Sequence, residues 1–218
     1  MKPSPAAYVP YLRNPALLAH QPDLAIAHNA GPGPADWVQA SLRLGHDREG
    51  LQGLFSVVEA GVYSVHCEDL APVWQDSCVE LFLQPPGARG YLNLEFNAGG
   101  WLHASWVTDP ARDSSGQVRG AQPLSPAQCA RIKRASSLPA RIVPARSASL
   151  RWQLRFCVPW SLIASFSALP ERLTGTVWRA NAYKCAEHNP RPHWLSWAPL
   201  PRLDFHQPDC FGALHLAD

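Results

Sequence analysis

Alternation of apolar and polar residues is the clearest pattern along the chain, and it predicts β-strands. In the stretch CVELFLQPPGARGYLNLEFN, residues 78–97, the two kinds of residue alternate on both sides of a turn rich in proline and glycine. Successive side chains of a strand point to opposite faces, so the stretch predicts a hairpin with one core face and one solvent face. The predicted core face comprises Leu81, Leu83, Leu92, Leu94 and Phe96. The predicted polar face comprises Glu80, Asn93, Glu95 and Asn97.

Similar patterns elsewhere predict short strands and almost no helix. Further strands are expected at residues 37–44, 53–65 (one or two strands), 101–107, 149–159, 175–185 and 210–216. One helical turn is expected after Pro159, and a long polar loop at residues 108–126. Nine or ten short strands separated by turn signals predict an all-β protein, an antiparallel β-sandwich. Residues 1–35 predict an irregular proline-rich arm, and residues 36–218 a single domain.

Composition excludes several classes of function. Hydrophobic residues make up 46% and charged residues 17% of the 218 residues, as in a folded globular protein. A net charge of +2 gives no basis for nucleic-acid binding, and no stretch has the roughly 20 apolar residues of a membrane helix. The N-terminal residues contain prolines where a signal peptide needs an apolar run, so a cytoplasmic protein is expected. The six cysteines are widely spaced, which favours reduced thiols.

Tryptophans lie next to the strands with polar faces, and this combination indicates a sugar site. Trp74 precedes the hairpin, and Trp194 and Trp197 follow a strand whose polar face carries Arg179, Asn181 and Tyr183. An indole packs against the C–H face of a pyranose. Carboxylate, amide and guanidinium groups bind its hydroxyls, and the charged groups form the stronger hydrogen bonds.

Other interpretations of the same residues stay open at this stage. The polar face could be an ordinary solvated sheet surface, with Glu80 or Glu95 paired to Arg179. Two glutamates facing each other across strands, roughly 5 Å apart at Cβ, could also serve a glycoside hydrolase. Metal binding by Cys185, His188 and His193 has little support, because their spacing matches no familiar zinc pattern.

Three segments of the chain carry a resemblance to a known family: PVWQDSCVELFLQP…YLNLEFNAGG, WRANAYKCAEHNPRPHWLSWAPL and DFHQPDCFGALHL. Together they resemble the carbohydrate-binding family 9-like proteins, which are DOMON-like β-sandwiches related to the family 9 modules of xylanases. The resemblance covers approximately residues 50–218 and implies a sandwich of immunoglobulin-like or jelly-roll type. It also implies non-catalytic binding of a mono- or oligosaccharide end between two tryptophans.

Residue by residue, the resemblance matches Trp74 to the first aromatic wall and Glu80 to the glutamate that holds the sugar. The second wall should come from the HWLSW segment, with Trp197 preferred over Trp194. Further candidates on the matching strands are Asn97, Asn181 and Lys184. Family modules often carry structural calcium, so calcium is left open, and no other cofactor is expected. The rival functions are a protein-interaction domain that has lost sugar binding and a small glycoside hydrolase that uses Glu80 and Glu95.

Overall fold

Two β-sheets packed face to face make up the protein. The computed structural model describes residues 4–218, apart from the side chains of residues 144–147. Over this range the chain is an all-β sandwich with short helical turns, which confirms the predicted fold class.

The strands are short apart from two that run through the smaller sheet. They are β1 Ala6–Val9, β2 Leu24–Ala25, β3 His28–Asn29, β4 Gln39–His46, β5 Gly50–Ser64, β6 Cys78–Gln84, β7 Tyr91–Asn97, β8 Leu102–Val107, β9 Ala121–Pro123, β10 Lys133–Ser136, β11 Ile142–Pro159, β12 Val177–Ala186, β13 His193–Ser196 and β14 Gly212–Leu216. The α-helical turns are α1 Pro126–Cys129 and α2 Trp160–Ile163, and 3-10 turns form at Pro15–His20, Val73–Gln75 and Pro208–Cys210.

The larger sheet has nine strands and contains the predicted hairpin at its centre. Its order is β1-β14-β12-β6-β7-β8-β9, with β13 paired to β12 and β3 paired to β13. The smaller sheet has the order β10-β11-β5-β4-β2. The pairing of β1 with β14 is parallel, and the other neighbours in both sheets are antiparallel. The central strands β12, β6 and β7 are therefore flanked on both sides.

Alternation along β6 and β7 places the apolar face of the hairpin between the two sheets, as predicted. Leu81 lies opposite Leu94 and Val79 opposite Phe96, and all four side chains are buried in the main core. The smaller sheet contributes Leu42, Phe55, Trp152, Leu154 and Phe156 to the same core.

The polar face of the hairpin does not face solvent as the alternation predicts. Every residue of β7 is buried, on both faces of the sheet. Two loops cover the outer face of the larger sheet: the segment before β6 and the segment between β13 and β14. Phe205 of the second loop stacks on Tyr183 with ring centroids 4.1 Å apart, and Trp74 of the first loop packs beside His103. A covering layer of this kind allows polar side chains to be enclosed in a site.

Residues 4–35 are more regular than the predicted irregular arm, because their backbone completes both sheets. Strand β1 adds to the edge of the larger sheet, and Leu18 and Ile26 are buried. Pro5 and Pro10 flank β1 and donate no hydrogen bond, which an edge strand tolerates. Their carbonyl groups accept from Ala213 and His46.

Two further segments differ from the prediction. Residues 108–126 contain the short strand β9, and the HWLSW segment, for which no strand is predicted, contains β13. Among the described residues, no helix is long and apolar enough to cross a membrane.

Candidate functional site

A row of polar side chains crosses the outer face of the larger sheet. Tyr183 on β12 lies opposite Glu80 on β6, Glu80 lies opposite Glu95 on β7, and Glu95 lies opposite His103 on β8. Directly opposed residues of an antiparallel pair place their Cβ atoms roughly 5 Å apart. The structure therefore brings together the two glutamates that the alternation placed on one face.

Both glutamates are nearly inaccessible to water. Glu80 is 3% exposed and Glu95 is 6% exposed. Burial is the main reason that the pKa of Glu80 lies well above its usual range, and the neighbouring Cys185 and Glu95 raise it further. Burial also raises the pKa of Glu95, although His103 and Asn93 oppose the shift. The two carboxyl groups thus resist being ionised together.

Two oxygen atoms at this site have no hydrogen-bond partner. Asn93 donates its side-chain amide to Glu95 Oε1 at 2.8 Å. Glu95 Oε2 and Asn93 Oδ1 are buried and unpartnered. Buried polar atoms are nearly always satisfied in folded proteins, so unpartnered acceptors side by side point to a donor supplied from outside the chain.

Aromatic side chains border this polar row near Cys78, the first residue of β6. Trp74, Trp101, Trp194 and Phe205 are partly buried and pack around Cys78 and Cys185. The ring of Trp74 stands edge-on to His103, with ring centroids 5.1 Å apart. A Cβ atom at Gly31 would lie 2.9 Å from the Trp194 ring, so the turn before β4 packs closely on this indole.

Three predicted site residues have their polar groups occupied by the chain itself. Asn97 donates to Asp76 and to the His66 carbonyl and accepts from the Trp101 amide. Asn181 both donates to and accepts from the backbone of Ala198. The guanidinium of Arg179 donates to the carbonyl groups of Pro208 and Asp209. These contacts hold the covering loops on the sheet.

The profile of carbohydrate-binding family 9 matches residues 37–216, which is most of the chain. The chain belongs to carbohydrate-binding family 9. This confirms the family predicted from the three sequence segments.

Solved structures with the same fold agree with that assignment. This chain is similar to a candidate carbohydrate-binding protein from Bacteroides uniformis ATCC 8492, with 28% identity and a TM-score of 0.81. The alignment covers 97% of this chain and 98% of the other. A family 9 module from Caldicellulosiruptor kristjanssonii in complex with cellotriose matches 98% of this chain and 94% of its own, with 13% identity and a TM-score of 0.62. A family 9 module from the same organism in complex with glucose matches 97% of this chain and 95% of its own, with 15% identity and a TM-score of 0.61. Among curated proteins, none matches the chain.

In this family 9 chain, two predicted site residues lie on the inner side of the larger sheet, away from Glu80. Trp197 is 7% exposed and packs in the main core. Lys184 is fully buried, and its ammonium lies 3.1 Å from Glu59 Oε2. On β13, Trp194 lies opposite Cys185, whose side chain shares the outer face with Glu80. The structure therefore brings Trp194, and not Trp197, to the polar row.

Glu59, which sequence reasoning missed, is the centre of a second buried polar group between the sheets. Its carboxylate accepts from Trp152 Nε1 at 3.0 Å, and His193 Nε2 lies 3.4 Å from Oε2. Burial opposes ionisation of Glu59, but Lys184, His193 and Trp152 outweigh it, so the pKa of this carboxyl falls below its usual value. Glu59 follows Phe55 and Val57 at intervals of two residues, so it lies on the same face of β5 as these apolar side chains. This alternation is the signal that could have placed Glu59 in the core.

The cluster of Cys78, Glu80 and Cys185 does not fit calcium. Among the side chains that the structure describes, one group of three potential metal ligands has its ligand atoms within 4.8 Å of one another: Cys78, Glu80 and Cys185. Calcium takes six to eight oxygen ligands, whereas this group offers two thiols and one carboxyl. His193 belongs to the Glu59 group on the inner side of the sheet, so the Cys185–His188–His193 ligand set is not assembled.

Proposed function

We propose that this chain binds the end of a neutral mono- or oligosaccharide on the outer face of its larger sheet, without cleaving it. The observation that carries the proposal is the pair of unpartnered buried acceptors, Glu95 Oε2 and Asn93 Oδ1. An unsatisfied buried polar atom costs roughly 1–3 kcal/mol. Two adjacent sugar hydroxyls would supply the missing donors.

The aromatic side chains beside these acceptors suit the other surface of a sugar. Trp74 and Trp194 both remain partly accessible and pack around the same cysteine pair. Pyranose rings present C–H groups that pack on indole faces, while the ring edge presents hydroxyls. Because Glu80 and Glu95 are almost completely buried, only the edge of one sugar ring can contact them. This favours recognition of the end of an oligosaccharide. Micromolar to millimolar affinity, about 4–8 kcal/mol, is expected.

The charges of the site favour a neutral sugar over a uronic acid. Glu187 is exposed and lies close enough to raise the pKa of both Glu80 and Glu95. A ligand carboxylate placed here would be repelled by this group of carboxyls. Glucose and cellotriose, the ligands of the structurally similar modules, are neutral sugars of the expected kind.

The burial of the glutamates speaks against the hydrolase alternative. The two carboxyl groups of a glycoside hydrolase flank the scissile bond, and water must reach the sugar beside them. Here Glu80 is 3% exposed and Glu95 is 6% exposed, and the Cys185 thiol lies within hydrogen-bonding distance of Glu80 Oε1, at 3.1 Å. We therefore assign binding and not turnover to the pair.

Titration of tryptophan fluorescence tests this function. The panel should contain glucose, cellotriose, xylo-, galacto- and manno-oligosaccharides and glucuronic acid, with a chelator present throughout. We expect a saturable change with at least one neutral sugar and none with glucuronic acid. Trp74→Ala should abolish the response, and Trp160→Phe, an aromatic change away from the site, should preserve it.

Two results would replace the proposal with another function. A flat response from folded protein across all sugars would favour the protein-interaction domain. Release of product from chromogenic glycosides that is lost in Glu80→Gln would establish a hydrolase instead.

A further inference from the structure

Cys78 and Cys185 form a pair of buried thiols that carbohydrate binding does not use. They lie directly opposite each other on β6 and β12. Cys78 is fully buried and Cys185 is 2% exposed. Glu80 lies two residues after Cys78, so its side chain points to the same face of the sheet.

The contacts among these three side chains are close but poorly satisfied. Cys185 Sγ lies 3.1 Å from Glu80 Oε1 and 3.5 Å from the Trp74 carbonyl, so one thiol hydrogen faces two acceptors. The Cys78 thiol has a long contact, 3.8 Å, with the carbonyl of the next residue, and it lies within hydrogen-bonding reach of the Cys185 thiol. Three protonatable groups thus share a closed space with few good hydrogen bonds.

The nearby ammonium group makes no direct contact with these thiols. Lys184 is next to Cys185 in sequence, but its side chain points to the opposite face of β12 and pairs with Glu59 at 3.1 Å. From that face its charge opposes the rise in the pKa of both thiols. A positive charge in contact with the two sulfur atoms and the Glu80 carboxyl would have to come from a bound cation. The described ligand atoms lie within 4.8 Å of one another, a spread that a single ion can bridge.

We propose that Cys78, Cys185 and Glu80 form a binding site for Zn²⁺. Thiolates select soft or borderline cations, and zinc accepts a carboxylate as a third ligand. A four-coordinate ion would have one position left for a water molecule. The hard cations Ca²⁺ and Mg²⁺, which require oxygen ligands, are excluded by the two sulfur donors. Binding releases the two thiol protons, so zinc affinity rises with pH.

Titration of the reduced full-length chain with Co²⁺ tests the site, because cobalt replaces zinc and reports sulfur ligands by a charge-transfer absorption band. We expect this band at one Co²⁺ per chain and its disappearance when Zn²⁺ is added. Cys78→Ser and Cys185→Ser should each lose it. Cys157→Ser, which removes a buried thiol of the other sheet, should retain it.

Two further measurements keep the test independent of how well the variants fold. Zn²⁺ should raise the melting temperature of the unmodified chain in proportion to the logarithm of its concentration above the Kd, and Mg²⁺ should not. Glu80→Gln keeps both thiols, so the cobalt band should persist at a higher Kd. Absence of the band from folded, reduced protein overturns the proposal, as does a band that survives in both site serine variants. Because no sugar is present, failure here leaves the proposed function standing.

Discussion

At the scale of single residues, Glu95 combines nearly complete burial with an unpartnered oxygen. Its Oε1 accepts from Asn93, while Oε2 has no partner in the chain. A carboxyl held in this way is preorganised to accept from a ligand without first breaking an internal bond. The same burial raises its pKa, so removing its charge should cost the fold little.

Glu95→Gln should therefore weaken sugar binding and leave stability nearly unchanged. Hydrogen bonds to a charged group contribute roughly 1.5–3 kcal/mol, so a loss of roughly ten- to hundredfold in affinity is expected. Calorimetric titration and thermal unfolding measure the two effects. Glu171→Gln, at an exposed glutamate outside the site, is the matched control and should change neither. Unaltered affinity in Glu95→Gln would remove this residue from the site.

Residue identity alone could predict part of this site. Glu80 and Glu95 follow from alternation along β6 and β7, because the side-chain period of two fixes which residues share a face. Their burial could not be predicted, because the covering residue Phe205 is more than a hundred positions away in sequence. The family resemblance makes Lys184 a site candidate, whereas the side-chain period of two places it on the other face of β12 from Tyr183 and Cys185, where it pairs with Glu59 of the other sheet.

At the scale of elements, the short strand β13 determines which tryptophan reaches the site. Leu195 and Trp197 point into the main core, and Trp194 points to the outer face. The proline-rich segment around it has no long periodic pattern, so sequence reasoning could not choose between the two tryptophans. A strand of four residues is too short to be recognised from its own alternation.

Alanine substitutions should separate the two tryptophans of this element. Trp194→Ala should remove sugar binding with a modest stability change, because the indole is only partly buried. Trp197→Ala should lower the free energy of unfolding by about 3–5 kcal/mol, as expected for a large core residue. Chemical unfolding and sugar titration, performed on both variants, give the comparison. If Trp197→Ala lost binding at unchanged stability, the assignment would be reversed.

The Glu59–Lys184 ion pair ties β5 of one sheet to β12 of the other. Lys184→Met should cost about 3–5 kcal/mol, because Glu59 is left as an uncompensated buried charge. Adding Glu59→Gln should recover most of that loss, because glutamine can still accept from Trp152. Urea unfolding of the single and double variants measures this coupling. The double variant should bind sugar like the unmodified chain, and loss of sugar affinity at restored stability would return Lys184 to the site.

At the scale of the whole molecule, the loops that cover the outer face link pH to stability. His206 Nδ1 and the Tyr91 hydroxyl oxygen are hydrogen-bonded at 2.6 Å. Burial, together with the charge of Arg112, lowers the pKa of His206 to about 4. The unfolded chain, with a histidine pKa of about 6.5, takes up this proton first as the pH falls. The histidine therefore makes the fold less stable in acid.

The contribution of His206 to the free energy of unfolding should fall as the pH is lowered from 6.5 towards 4, while Glu80 and Glu95, whose pKa values are raised, contribute in the opposite direction. His206 accounts for about 2 kcal/mol of the loss between pH 7.5 and pH 5, from the difference between the folded and unfolded pKa values. His206→Asn, whose amide can replace the contact with Tyr91 but cannot take up a proton, should remove that portion. Urea unfolding at the two pH values gives the difference. An identical pH dependence in both proteins would contradict the role of His206.

The central claim is that a sugar binds on the outer face between Trp74 and Trp194. The most direct measurement is a ¹H–¹⁵N spectrum of the indole groups of the nine tryptophans, assigned with single Trp→Phe variants and recorded during titration with the best sugar of the panel. We predict that the Trp74 and Trp194 signals shift together and saturate at the same sugar concentration, while those of Trp152, Trp178 and Trp197 stay in place. Signals that do not move with any sugar, or that move only at tryptophans outside this face, would contradict the account.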